Sequence, residues 1–142
     1  MTYPQTFAQE VGKNMEMIGK YGCLAMCYLY CMGIHDTVEM IRIVSDCMDK
    51  GILDNECTVT DARKYLQYVT GKNYDVEKKQ FNDMKKVNCY PVRYTYNGKG
   101  HWVVVDKGRV VFNSLINSLC VTKGAPAKDS KNPNTRVITL AR

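Results

Sequence analysis

Tyr21-Gly22-Cys23-Leu24-Ala25-Met26-Cys27-Tyr28-Leu29-Tyr30-Cys31 is an apolar run with a glycine and a cysteine at its mouth. Wound as a helix it has no solvated face, because only tyrosine hydroxyls and thiols interrupt its aliphatic surface, and a helix apolar all round belongs at the centre of a domain. The rest of the chain must cover it. Cys23 stands at its N-terminus, where unpaired backbone N–H groups and the positive end of the helix dipole predict a lowered thiol pKa. That is the setting of a nucleophile, and a nucleophilic cysteine needs a base. Of the two histidines in the chain, His35 follows the helix beside Asp36 and reads as an exposed or capping residue. His101 opens the β-rich run Gly100-His101-Trp102-Val103-Val104-Val105 and can reach the thiol only through the tertiary fold.

Outward from this run the spacing predicts helices before it and after it. Phe7, Val11, Met15 and Ile18 recur at helical intervals over residues 5–18, and Gly19-Lys20-Tyr21-Gly22 reads as a break. The central helix is expected over residues 23–32 with Gly33 at its C-terminal cap. Asp36 or Thr37 caps the next, over 38–48, whose apolar stripe is Met40, Ile43, Val44 and Cys47, and Gly51 ends it. A further helix is read over 57–69 with Thr60 or Thr58 as cap. The pattern then turns to alternation. An edge strand is expected at 73–77, a longer strand at 87–96, a hairpin of 101–105 with 109–112, and a last strand at 135–140. Residues 122–135, with Gly124, Pro126, Asn132, Pro133 and Asn134, read as a mobile surface loop. Helices first and an antiparallel sheet second make an α+β chain, and no internal repeat or linker divides it.

The 142 residues suit one domain with a core that needs no staples, and 45% apolar with 24% charged residues is ordinary for a globular protein. The longest apolar run is too short to span a bilayer, and the N-terminal residues lack the layout of a secretory signal, so a cytoplasmic protein without a membrane partner is expected. Seven is an odd number of cysteines, and three of them recur every fourth residue in one run, which reads as reduced core thiols and not a disulfide framework. Ligands one turn apart on one helix do not converge on a tetrahedral ion, so no metal or other cofactor is expected. The formal charge of +6 is spread over 123–131, Lys78-Lys79 and Lys85-Lys86, and the tyrosines are scattered. Neither pattern marks a nucleic-acid surface. Oligomeric state has no signature.

The loop of the hairpin decides which residue faces His101. With Asp106-Lys107-Gly108 as a three-residue loop, Val105 pairs with Arg109 and His101 lies opposite Asn113. With Lys107-Gly108 alone as the turn, Ser114 faces His101. The first is preferred, because a two-residue turn of the primed type wants Asn, Asp or Gly at its first position. Asp106 is then a turn residue and Asn113 can hold the imidazole in the tautomer that turns its other nitrogen to the thiol.

The Gly-Cys that opens a hydrophobic helix, the later Gly-His-Trp-Val-Val-Val strand and the return ending Val-Val-Phe-Asn resemble the papain-like cysteine peptidases, in particular the compact branch that processes bacteriocin leaders. The likeness follows the order of elements over most of the chain, including Pro91-Val92-Arg93-Tyr94 ahead of the histidine strand. It implies a papain-like fold with Cys23 as nucleophile, His101 as general base and acid, Asn113 as orienting residue, and a peptide or protein substrate. One departure stands out. Met17 occupies the position, six residues before the cysteine, where the family carries a glutamine that donates to the oxyanion, and the nearest upstream amides are Asn14 and Gln9. Leu24 also replaces the glycine that often follows the cysteine. An oxyanion donor is worth ~2.7–4 kcal/mol. Its loss sets up the alternative expectation, a non-catalytic binding or inhibitor module on the same frame.

Overall fold

The first helix does not stop at the glycines. In the computed structural model, which describes residues 3–115, 118–128 and 131–141, α1 (Tyr3–Tyr21) runs through Gly19, and α2 (Cys23–Cys31) begins one residue later. The Gly22 N–H donates to Ile18 O at 2.9 Å and the Met26 N–H to Gly22 O at 3.0 Å, so the helical hydrogen-bond pattern continues across the joint. Gly22 is there for contact and not for breaking: a Cβ would stand 2.6 Å from Ile18 O. Of the apolar positions that predict α1, Ile18 is buried and Met15 exposed, while the side chains of residues 1–11, including Phe7, Gln9 and Val11, lie outside the described residues.

α2 is the buried helix. Ala25, Cys27 and Leu29 are wholly covered, and Gly33 follows its end in the left-handed region at φ +88°. α3 (Thr37–Asp49) is capped by Asp36, whose carboxylate accepts from the Glu39 N–H. α4 (Ala62–Thr70) starts five residues later than the sequence suggests, and its cap is Asp61, not a threonine. The reason is Asp54, which accepts from the Glu56 and Thr58 N–H groups and holds residues 54–58 in a turn, with Cys57 at φ +60°.

The strands β1 (Tyr74–Lys79), β2 (Asn88–Tyr96), β3 (Lys99–Asp106), β4 (Arg109–Phe112), β5 (Ala125–Pro126) and β6 (Thr135–Leu140) form one six-stranded antiparallel sheet. Its order is β1-β6-β2-β3-β4, with β5 beside β2, so the last strand of the chain lies inside the sheet. The architecture is α+β, with the helices packed on one face. Tyr74, Val76, Phe112 and Ile138 meet the helices there, and Val92, Val103 and Val105 meet a smaller layer on the other face with Cys120 of α5 (Leu119–Thr122).

Residues 122–135 are not a plain surface loop. Ala127 is buried, β5 pairs with Tyr94 and Thr95, and Asn134 is fully covered. The Asn134 side chain accepts from the Phe81 N–H and the Thr135 hydroxyl and donates to Phe81 O and Ala127 O. One asparagine thus supplies the backbone partners that a buried connection needs.

No described helix is long and apolar enough to cross a membrane.

Candidate active site

Both readings of the hairpin are corrected in part. The turn is Lys107-Gly108, with both residues at positive φ (51° and 88°), and Asp106 pairs with Arg109 as the last residue of β3. A bulge follows. Val105 pairs with Val110 but Val104 with Phe112, so Val111 is the extra residue and the return strand is shifted beyond it. Neither simple register holds at His101, yet the bulge delivers Asn113 to it: His101 Nε2 lies 2.7 Å from Asn113 Oδ1. The expected partner is met by a different geometry.

The second bond of Asn113 settles the tautomer. Its Oδ1 also accepts from the Leu115 N–H at 3.1 Å, and a backbone N–H can only donate, so the atom facing His101 is the oxygen. Nε2 therefore carries the proton in the neutral ring, and Nδ1 is the unprotonated nitrogen available as a base. His101 itself is almost completely covered, at 3% exposure. Burial lowers its pKa below the ordinary 6.5, and the Asn113 bond opposes that in part.

Cys23 is half-buried at the start of α2. Its sulfur lies against the backbone N–H groups of Trp102, Leu24 and Cys23. The structure thus brings the thiol to the residue next to His101, at a point where the edge of β3 is open, because β4 pairs β3 only from Val104 to Asp106. The predicted lowering of the thiol pKa is overturned. Removal from water raises it above 9.0, and the three N–H groups offset this only in part. The two shifts favour a neutral thiol and a neutral imidazole at rest.

Cys27 and Cys31 continue the same stripe of α2. The Cys31 thiol lies near that of Cys89, which sits on β2 at φ +55° beside a bulge. Small side chains every fourth residue form the seam along which the helix meets the sheet, and no two of the seven thiols are joined. Burial pushes the Cys27 thiol well up. His35 is exposed, stacks on Tyr30 at 4.0 Å between ring centroids, and approaches Tyr30 O at 3.2 Å, away from the thiol.

Of the upstream amides, Asn14 is engaged away from the site. Asn14 donates to the Ser45 hydroxyl and to Asp49 of α3, and Met17 packs against the helical core. Ser114 lines an apolar cavity of about 240 Å³ beside Asn113, walled by Ile18, Met26, Ile41 and Phe112. Among the described residues no group of three or more His, Cys, Asp or Glu side chains could hold a metal ion. Two parts of the site were missed by sequence reasoning: the Leu115 N–H that orients Asn113, which has no signal, and Arg136, which does. It stands two residues before Ile138, so strand alternation places it on the inward face.

No family model matches the chain, and neither does any curated protein or solved structure.

Proposed function

We propose that the chain is a cysteine-dependent hydrolase of a peptide or other amide bond, acting through Cys23, His101 and Asn113 on a papain-like frame. The observation that supports the reading best is the His101 to Asn113 hydrogen bond at 2.7 Å, on the strand whose next N–H lies at the Cys23 sulfur. Nδ1 of His101 takes the thiol proton as the sulfur attacks the carbonyl carbon, forming the C–S bond. The imidazolium, held by Asn113, returns the proton to the leaving amine. Water then cleaves the thioester, with the imidazole again as base. Because thiol and imidazole both rest neutral, the proton moves in the course of the attack and not before it. The N–H groups of Cys23, Leu24 and Trp102 are the donors nearest to an oxyanion formed at that sulfur.

The test is a peptide electrophile, such as a peptidyl vinyl sulfone, followed by mass mapping. It should modify Cys23 alone of the seven cysteines, and His101→Ala should slow the reaction about 10²- to 10⁴-fold. The rate should fall as His101 gains a proton below pH 6.5 and hold until above 9.0. Equal labelling of the half-buried Cys31 and Cys89, or a rate at Cys23 indifferent to His101, overturns the reading.

The raised thiol pKa and the apolar Met17 favour a second reading, a binding module that keeps the frame without turnover. A folded chain that leaves the electrophile unreacted at Cys23 would establish that one.

A further inference from the structure

Arg136 is buried, at 8% exposure, and among the described residues no carboxylate pairs with it. Its Nη1 donates to Pro133 O at 2.9 Å, and its guanidinium lies over the Trp102 ring at 4.7 Å. Directly opposite on β1 is Lys78, a second cation on the same face of the sheet. Like charges facing one another across two strands destabilise the pair, and a covered guanidinium without a counter-charge is costly. Arg93, in register with Trp102, adds a third cation whose Nε is buried without a hydrogen-bond partner.

Arg136 and Lys78 meet at a cavity of about 360 Å³ between α2, α4, β1 and β6, lined also by Tyr28 and Leu24. Tyr28 is 1% exposed and lines the same cavity. The other charges on the wall are already engaged: Asp61 caps α4 through the Lys64 N–H, and Arg63 pairs with Asp75 at 3.0 Å. The cavity therefore offers a guanidinium, an ammonium and a tyrosine hydroxyl to an incoming anion. Leu24, on its rim, is the residue after Cys23.

We propose that this cavity binds a peptide carboxylate, with Arg136 as anchor and Lys78 and Tyr28 as its helpers. A planar guanidinium already stacked on an indole matches a carboxylate by two parallel hydrogen bonds. The proposal rests on the peptidase reading for its use, since it makes the preferred substrate an acidic peptide that passes Cys23 with its carboxylate on Arg136. Binding itself does not depend on turnover.

Trp102 is the one tryptophan of the chain and touches Arg136, so its emission reports on the site. The Cys23→Ala chain is titrated with three peptides: acetyl-Ala-Glu-Ala-amide, its Gln analogue, and acetyl-Ala-Ala-Ala with a free C-terminus. A saturable response to the Glu peptide, at least about tenfold weaker with Gln, supports a side-chain carboxylate. A response confined to the free C-terminus supports the terminal carboxylate. Arg136→Gln should abolish either response. Because loss of a buried arginine can unfold the sheet, the exposed Lys78→Gln is the second variant, expected to weaken binding several-fold and flatten its salt dependence. Equal responses to Glu and Gln, no response to any of the three peptides, unchanged binding in Lys78→Gln, or inorganic phosphate binding as tightly as the best peptide overturns the proposal. Such a failure leaves the Cys23 labelling result untouched, and failed labelling leaves this titration unaffected.

Discussion

Replacing Asn113 by aspartate should reverse the pH dependence of folding stability contributed by His101. In the native chain burial lowers the His101 pKa below 6.5. Below that pH the unfolded chain holds a proton that the folded chain refuses, so stability is complete above 6.5 and is lost as pH falls toward the folded pKa. Asn113→Asp keeps an acceptor for the Leu115 N–H and puts a carboxylate 2.7 Å from Nε2. A hydrogen bond to a charged group is worth ~1.5–3 kcal/mol, which corresponds to an increase of about 10- to 150-fold in the proton affinity of the ring. If that outweighs burial, the folded pKa moves above 6.5. The sign then changes: the stabilisation is present below 6.5 and is lost as pH rises through the folded value. Asn113→Leu acts oppositely. It removes the bond that favours the cation, so the ring titrates lower than in the native chain, and it takes the acceptor from the exposed Leu115 N–H, which costs about 0.5–1.5 kcal/mol. The assay is an NMR titration of the two imidazole resonances, with exposed His35 as internal reference, alongside urea melts at a series of pH values. A native His101 that titrates at or above 6.5, or an Asn113→Asp chain with an unchanged titration and slope, would refute the reasoning.

Two further outcomes test the frame. Gly22→Ala places a Cβ 2.6 Å from Ile18 O and 3.1 Å from Ile18 Cγ2, at the joint that presents Cys23. It should cost about 1–3 kcal/mol in a urea melt, and a neutral effect would mean that the joint opens freely. Asn134→Ala removes the hydrogen bonds to the Phe81 N–H and O, Ala127 O and the Thr135 hydroxyl. At ~1 kcal/mol for each of these four, the loss should be about 4 kcal/mol, and a fall of under ~1 kcal/mol in chemical denaturation would show that water substitutes for the side chain.

The short-range features of the chain were legible because their causes are local. The apolar run around Cys27 is a buried helix, Asp36 caps α3, Gly33 and Gly51 end helices in the left-handed region, and β6 spans Thr135–Leu140. Each follows from side-chain periodicity or from a conformation that one residue type adopts cheaply. Misreadings came where two local preferences compete. Gly19 and Gly22 looked like breakers, but the hydrogen bond from the Gly22 N–H to Ile18 O carries the helical pattern through them, and Asp54 takes the turn that Thr58 was expected to cap.

By itself the sequence determined that the chain is α+β and that α2 is its buried centre, and it offered Cys23, His101 and Asn113 as candidates, since hydrophobic spacing and residue chemistry need no coordinates. Only the tertiary structure decided how His101 and Asn113 meet. A single extra residue, Val111, shifts the return strand so that Asn113 reaches Nε2, and burial overrides the helix terminus to leave the thiol neutral. A bulge and a desolvation energy are properties of what surrounds a residue after folding, and no one-dimensional pattern carries them.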